Sequence, residues 1–248
     1  MQSYRSQQDV RSIGLLGGTF DPIHYGHLVI AEEVRTVCKL TEMVFGPTGR
    51  PPHKTGEKVT EARLRLAMLE LAIASNPHFS ISTVDLERPG PSYTADTLRL
   101  LRQQWGVHTA IYFVIGWDSF EELLTWYNPK GVLEQVTHLV AVHRPGYMEE
   151  EGYRDRMEDR LPGLKQRLLA VPAPQFEISG TDLRRRVAEG GVRHPGFGQE
   201  LVERAWSHQA SRVDVEARSI VHQDARAAPV LHCPKHRQLY PSRKTTAG

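Results

Sequence analysis

An apolar run, Ile13-Gly14-Leu15-Leu16, breaks directly into Gly17-Gly18-Thr19-Phe20-Asp21-Pro22-Ile23-His24-Tyr25-Gly26-His27-Leu28. Paired glycines at the end of a buried strand let the backbone turn tightly and approach a ligand, while Thr19 offers a hydroxyl and free backbone N–H groups. Pro22 stiffens the loop. His24 and His27 lie about one helical turn apart, so a helix that starts near Tyr25 turns both imidazoles toward the same small volume at its N-terminus. That volume attracts anions. A pair of ordinary core or surface histidines accounts for either one alone, but not for both with this flank.

The rest of the chain reads as strands alternating with helices. Leu28, Ile30, Ala31, Val34 and Cys38 recur at helical spacing over 26–39, which makes Cys38 a helix residue and not a nucleophile. Met43–Gly46 reads as a short strand, followed by a Gly/Pro-rich flap that carries Pro51-Pro52-His53-Lys54. Leu64, Ala67, Met68, Leu71 and Ala74 form the apolar stripe of a second helix, closed by Asn76-Pro77, and Phe79, Ile81 and Val84 open a third strand region. A helix runs from Ser92-Tyr93-Thr94 to about Gln104. Ala110–Ile115 is a buried strand that stops at Gly116, and His138–Val142 is another. The charged stretch 147–170 contains a helix-like segment ending near Leu169, a short strand falls at Phe176–Ile178, and helices follow at 181–189 and 198–206.

This alternation predicts an α/β/α sandwich of three layers around a mostly parallel sheet. Ligands of such sheets bind outside the carboxyl ends of the strands. The glycine loop, Gly116-Trp117-Asp118 and Arg144-Pro145-Gly146 all fall at those ends.

Composition narrows the class further. A formal net charge of +2 over 248 residues gives no general argument for nucleic acid or membrane binding. Charge is uneven, with seven Lys/Arg against three Asp/Glu between Gln209 and Gly248. The expected organisation is a loose N-terminus at 1–12, a globular domain at 13–208 and a basic, disordered tail at 209–248. Two distant cysteines, Cys38 and Cys233, and no secretory or long apolar segment fit the reducing cytoplasm.

A second motif, Ile178-Ser179-Gly180-Thr181-Asp182-Leu183-Arg184, pairs a helix-capping serine with an arginine about a turn later. Free N–H groups and one fork-shaped cation suit a polyphosphate.

The two motifs together resemble the His-x-Gly-His and Ile-Ser-x-Thr-x-x-Arg signatures of the nucleotidylyltransferase superfamily. Pro51–Lys54, Pro91–Thr94 with Thr97-Leu98, Gly116–Ser119, Thr125–Tyr127 and Arg144–Tyr147 follow in order between them, and from Ile13 to Glu189 the chain is similar to nicotinate-nucleotide adenylyltransferases. The resemblance implies a Rossmann-like fold. It also implies catalysis by His24, His27 and Arg184, and ATP binding by Gly17, Gly18, Thr19, Phe20, Gly116, Asp118, Ser179 and Thr181. The mononucleotide falls to Lys54, Tyr93, Thr94, Trp126, Tyr127 and Arg144: Lys54 and Arg144 meet phosphate, Trp126 stacks on the pyridine, and the backbone around Thr94 and Tyr127 receives the carboxylate. The substrates are then ATP and nicotinate mononucleotide, with Mg²⁺ riding on the phosphates because the motifs hold no carboxylate cage. Other readings are the same chemistry on nicotinamide mononucleotide or another acceptor, and a catalytically silent nucleotide-binding regulator. Neither nucleic acid nor membrane is expected as a partner.

Overall fold

The computed structural model describes residues 11–51, 59–143, 147, 149–173 and 178–189. Lys54, Arg144, residues 176–177, the predicted helix at 198–206, the tail and residues 1–10 lie outside that set.

Six parallel strands form one sheet. The first, β1 (Ser12–Gly18), is followed by α1 (Tyr25–Val37) and β2 (Glu42–Pro47), then by α2 (Ala62–Ile73) and β3 (Phe79–Ile81). Two helices, α3 (Val84–Glu87) and α4 (Thr94–Trp105), lead to β4 (Ala110–Gly116). Short helical turns α5 (Trp117–Glu121) and Leu123–Thr125 precede α6 (Pro129–Gln135) and β5 (His138–His143). The described part ends with α7 (Tyr153–Arg160), α8 (Leu164–Arg167), β6 (Leu168–Pro172) and α9 (Gly180–Ala188).

The strand order is β3-β2-β1-β4-β5-β6. Every neighbouring pair is parallel. The chain winds outward in one direction through β2 and β3, then returns to the middle and winds the other way, so the order reverses between β1 and β4. A crevice opens at such a switch point, beyond the carboxyl ends of the two central strands.

Each central strand is apolar on both sides because helices cover both faces. Ile13, Leu15, Ile111 and Phe113 pack with Leu98, Leu101, Val132 and Leu164 on one face. Leu16 and Val114 pack with Ala31, Val34, Met68 and Leu69 on the other. Gly14 leaves room inside this second layer, since a Cβ there would fall 2.1 Å from Met43 Sδ.

Four expectations are revised. The segment 147–170 is not helical to Leu169: the helices stop at Arg167 and Leu168–Pro172 is the edge strand β6. That strand pairs with β5, from Leu139↔Leu168 to His143↔Pro172; of the strand expected at Phe176–Ile178, residues 176–177 lie outside the described residues and Ile178 is not in a strand. Val84 begins a helix instead of extending the third strand. In α2 the buried stripe is Arg65, Met68, Leu69 and Ile73, rotated from the predicted one.

Candidate active site

The crevice at the switch point holds a cavity of about 420 Å³, and Gly17, Gly18 and Thr19 from β1 and its loop form one wall. His27 reaches the same space from the first turn of α1. Its setting follows from local packing. His24 caps α1, and its backbone N–H donates to His27 Nδ1 at 3.3 Å. An Nδ1 that accepts leaves the proton of a neutral imidazole on Nε2, the nitrogen available to a ligand.

The two histidine rings lie 3.8 Å apart between centroids, and Phe20 sets its edge against His27 at 5.1 Å. Gly26 gives the His24 ring its place, because a Cβ there would come within 3.1 Å of ring atoms. His24 Nδ1 is buried without a hydrogen-bond partner among the described residues. Burial pushes the His24 imidazole down to about 4. Burial first, and the neighbouring His24 second, push His27 down to about 3. Both rings are therefore neutral at neutral pH.

Phe20 holds a positive φ of 49°, yet its side chain is buried in the core with Phe45 and His27. It anchors the loop and is not among the residues that line the cavity.

The C-terminal motif docks on this loop. Ser179 Oγ accepts from the Asp182 N–H and caps α9 as expected. Arg184 Nη1 donates to the Asp21 carbonyl at 2.5 Å and stands 3.8 Å from the Asp21 carboxylate, while Nη2 reaches Thr181 Oγ1 at 3.3 Å. Residues 163 positions apart are thus brought together. Ser179, Thr181 and Arg184 border the histidine loop without forming the cavity wall.

The opposite wall is aromatic. Tyr93, Thr94, Phe113, Trp126 and Tyr127 line it. The Tyr93 and Tyr127 rings lie 4.5 Å apart, and Phe113 meets Trp126 edge-on at 6.4 Å. Behind them is a polar network that the sequence reading missed. Asp85 accepts from Thr97 Oγ1 at 2.7 Å and from Arg88 Nε at 2.7 Å, and Arg88 Nη1 donates to the Pro91 carbonyl at 2.8 Å. Ser92 does not cap α4; its Oγ accepts from the Gly49 and Arg50 N–H groups at 3.0 and 3.2 Å.

Gly116 lines the cavity, whereas Asp118 is exposed outside it and Ser119 takes the inward place on α5. Asp21, Arg65, Asp85 and Ser119 are the other site-region residues beyond the expected set. Arg65 did leave a signal, an arginine in the middle of an apolar helix.

Neutral N–H donors, a helix N-terminus and a forked cation at one end, with aromatic faces at the other, define a nucleotide-binding α/β site of the nucleotidyltransferase class. The cytidylyltransferase-like family profile matches residues 15–186. A relative from Thermomicrobium roseum named "Probable nicotinate-nucleotide adenylyltransferase" is 45% identical over 178 residues, covering 72% of this chain and 81% of its own. A relative of the same name from Roseiflexus castenholzii is 44% identical over 177 residues, covering 71% and 86%. In fold the chain is similar to the Plasmodium falciparum nicotinic acid mononucleotide adenylyltransferase solved with NaAD, at TM-score 0.55 and 16% identity, over 71% of this chain and 83% of that one. The chain belongs to the nicotinate-nucleotide adenylyltransferase family.

Proposed function

We propose that this protein transfers the adenylyl group of ATP to nicotinate mononucleotide, giving nicotinate adenine dinucleotide and pyrophosphate in NAD biosynthesis. The observation that carries this reading is one cavity with a phosphate-type end, at Gly17, Gly18 and His27, facing an aromatic end, at Tyr93, Trp126 and Tyr127. The family relatives bear the matching name.

The mononucleotide phosphate is already ionised near neutral pH, so the chain need not supply a base. Its oxygen attacks the α-phosphorus of ATP, a new P–O bond forms, and the bond to the β-phosphate oxygen breaks as pyrophosphate leaves. Catalysis is then alignment and charge stabilisation. In this reading His27 Nε2–H and His24 donate to the α- and β-phosphates as charge moves onto the leaving group. Arg184, Ser179 and Thr181 take the outer phosphates, and Trp126 faces the pyridine ring. Backbone groups near Thr94 and Tyr127 meet the carboxylate, with Lys54 and Arg144 proposed for the acceptor phosphate. Among the described residues no three His, Cys, Asp or Glu gather to hold a metal ion. The proposed Mg²⁺ therefore enters on ATP, completed by water. The cytoplasm is the proposed compartment; among the described residues no helix is long and apolar enough to cross a membrane.

Purified protein with ATP, Mg²⁺ and either mononucleotide tests the reading through pyrophosphate release and identification of the dinucleotide. Release with nicotinate mononucleotide is expected. No release with any mononucleotide, despite ATP binding, would leave a silent nucleotide binder in its place.

A further inference from the structure

Arg65 is the one charged residue wholly enclosed in the described core, with 1% of its surface exposed. Its donors are spread over three segments of chain. Nε donates to the Thr60 carbonyl at 2.8 Å, Nη1 to the Thr19 carbonyl at 2.5 Å and Nη2 to the Thr48 carbonyl at 2.9 Å. Thr19 and Thr48 both line the active-site cavity. Its counter-charge is also fixed: Asp21 Oδ2 accepts from the Thr60 N–H at 3.1 Å and stands 3.8 Å from Arg184 Nη1.

A peptide unit is planar, with its C=O and the following N–H pointing opposite ways. Turning the Thr48 carbonyl onto Arg65 therefore sends the Gly49 N–H away from it, and that N–H is indeed held by Ser92 Oγ at 3.0 Å. The same grip at Thr19 fixes the plane of the peptide that opens the histidine loop, and keeps that carbonyl oxygen turned from any anion in the cavity. A guanidinium cannot lose its proton in a protein, so the clamp also places a permanent positive charge behind a loop built for phosphate.

We infer that Arg65 is a positioning residue for the triphosphate, acting through the Thr19 and Thr48 peptides and not by touching substrate. This inference rests on the adenylyl-transfer reading for its choice of ligand. A purely structural clamp offers a control inside the same molecule. Arg102 also grips three carbonyls, those of Gly106, Thr109 and Gln135, at the amino ends of β4 and β5, away from the cavity.

The test compares Arg65→Lys, Arg65→Met and Arg102→Met by thermal unfolding, by calorimetric titration with a non-hydrolysable ATP analogue, and by KM for each substrate. Arg65→Lys keeps the charge and loses the fork. It should stay folded while analogue affinity and kcat/KM for ATP fall roughly 10- to 100-fold, as for a small misplacement of a binding loop. Its KM for the mononucleotide should rise less than its KM for ATP, since the Thr48 peptide reaches the aromatic wall only through Gly49 and Ser92, and Arg65→Met should lose at least as much ATP affinity. Arg102→Met should lower the unfolding temperature and leave ATP affinity unchanged. Equal loss toward both substrates, unchanged ATP affinity in Arg65→Lys, an equal effect of Arg102→Met, or an unfolded Arg65→Lys would each overturn the inference. Wild-type protein that binds the analogue but releases no pyrophosphate would overturn the adenylyl-transfer reading alone, since the titration still measures what Arg65 does.

Discussion

Gly180→Ala sets two physical effects against each other. Gly180 is the first residue of α9 and has no positive φ, so helix propensity alone predicts that alanine stabilises the protein by up to about 1 kcal/mol. Packing predicts the opposite. A Cβ at this position would lie 2.7 Å from the Asp21 carbonyl oxygen and 3.3 Å from its carbon. Backbone cannot be moved aside as the end of a side chain can, so the start of α9 must retreat from the histidine loop by roughly half an ångström to reach ordinary contact. Overpacking of that kind costs about 1–3 kcal/mol, which outweighs the propensity gain. The Arg184 bond to the Asp21 carbonyl, 2.5 Å long, survives such a retreat, but the 3.8 Å approach to the Asp21 carboxylate does not. Arg184 is then displaced relative to the phosphates it is proposed to hold, and since a misplacement of 1 Å can cost about a hundredfold, half of it should cost about tenfold in kcat/KM for ATP. Thermal unfolding and steady-state pyrophosphate release check both halves. A variant with a raised unfolding temperature and unchanged kcat/KM would refute the argument that the C-terminal motif works by close contact with the loop.

Three further outcomes are expected. His27→Ala should lower kcat by about a hundredfold or more while the protein stays folded, because one preorganised donor is lost from a half-buried position; near-normal release of pyrophosphate would remove the central claim. Acid should destabilise the protein through both histidines. Unfolded, they bind protons near 6.5, but folded only at about 4 and 3, so their contribution is complete above 6.5 and is lost as pH falls. Between pH 6 and 5 the stability of His27→Gln should therefore fall less steeply than wild type, by about 1.4 kcal/mol per pH unit, in denaturant titrations; parallel slopes would contradict it. Nicotinate mononucleotide should be preferred over its amide, since donors placed for a carboxylate are mismatched by an NH₂ group; equal specificity constants would count against that assignment.

What the sequence made legible follows from how local each signal is. The glycine loop, the spacing of His24 and His27 and the run Ala110–Ile115 are short-range patterns: the structure puts Gly17, Gly18 and His27 on the cavity wall and Ala110–Gly116 in a central strand, while His24 stacks against His27 without lining the cavity. The edge strand Leu168–Pro172 was hidden because five residues after a charged, helix-like stretch offer little period to read. In α2, Leu64, Leu66, Ala67, Leu69 and Leu71 surround the helix with apolar groups, so its buried face could not be fixed by period and Arg65 passed unnoticed. Asp21 and Arg184 meet only through tertiary folding, and no spacing foretells a contact across 163 residues. Asp118 and Ser119 differ by one step around a short helix, an angle that the start of α5 at Trp117 decides.

The charge state of the site bears on how it would act. A cavity lined with permanently charged groups would bury unpaired cations whenever substrate is absent, which is costly. Here the wholly buried cation, Arg65, is matched by three carbonyls and faces Asp21, and Arg184 is tied to Asp21 as well. The groups proposed to meet the reacting phosphates are neutral imidazoles whose proton affinity is depressed by burial. A neighbouring anion raises that affinity. The interaction of His24 and His27 with the phosphates should therefore strengthen as negative charge accumulates on the departing pyrophosphate, favouring the transition state over bound ATP, which is the condition for accelerating the transfer instead of merely tightening substrate binding.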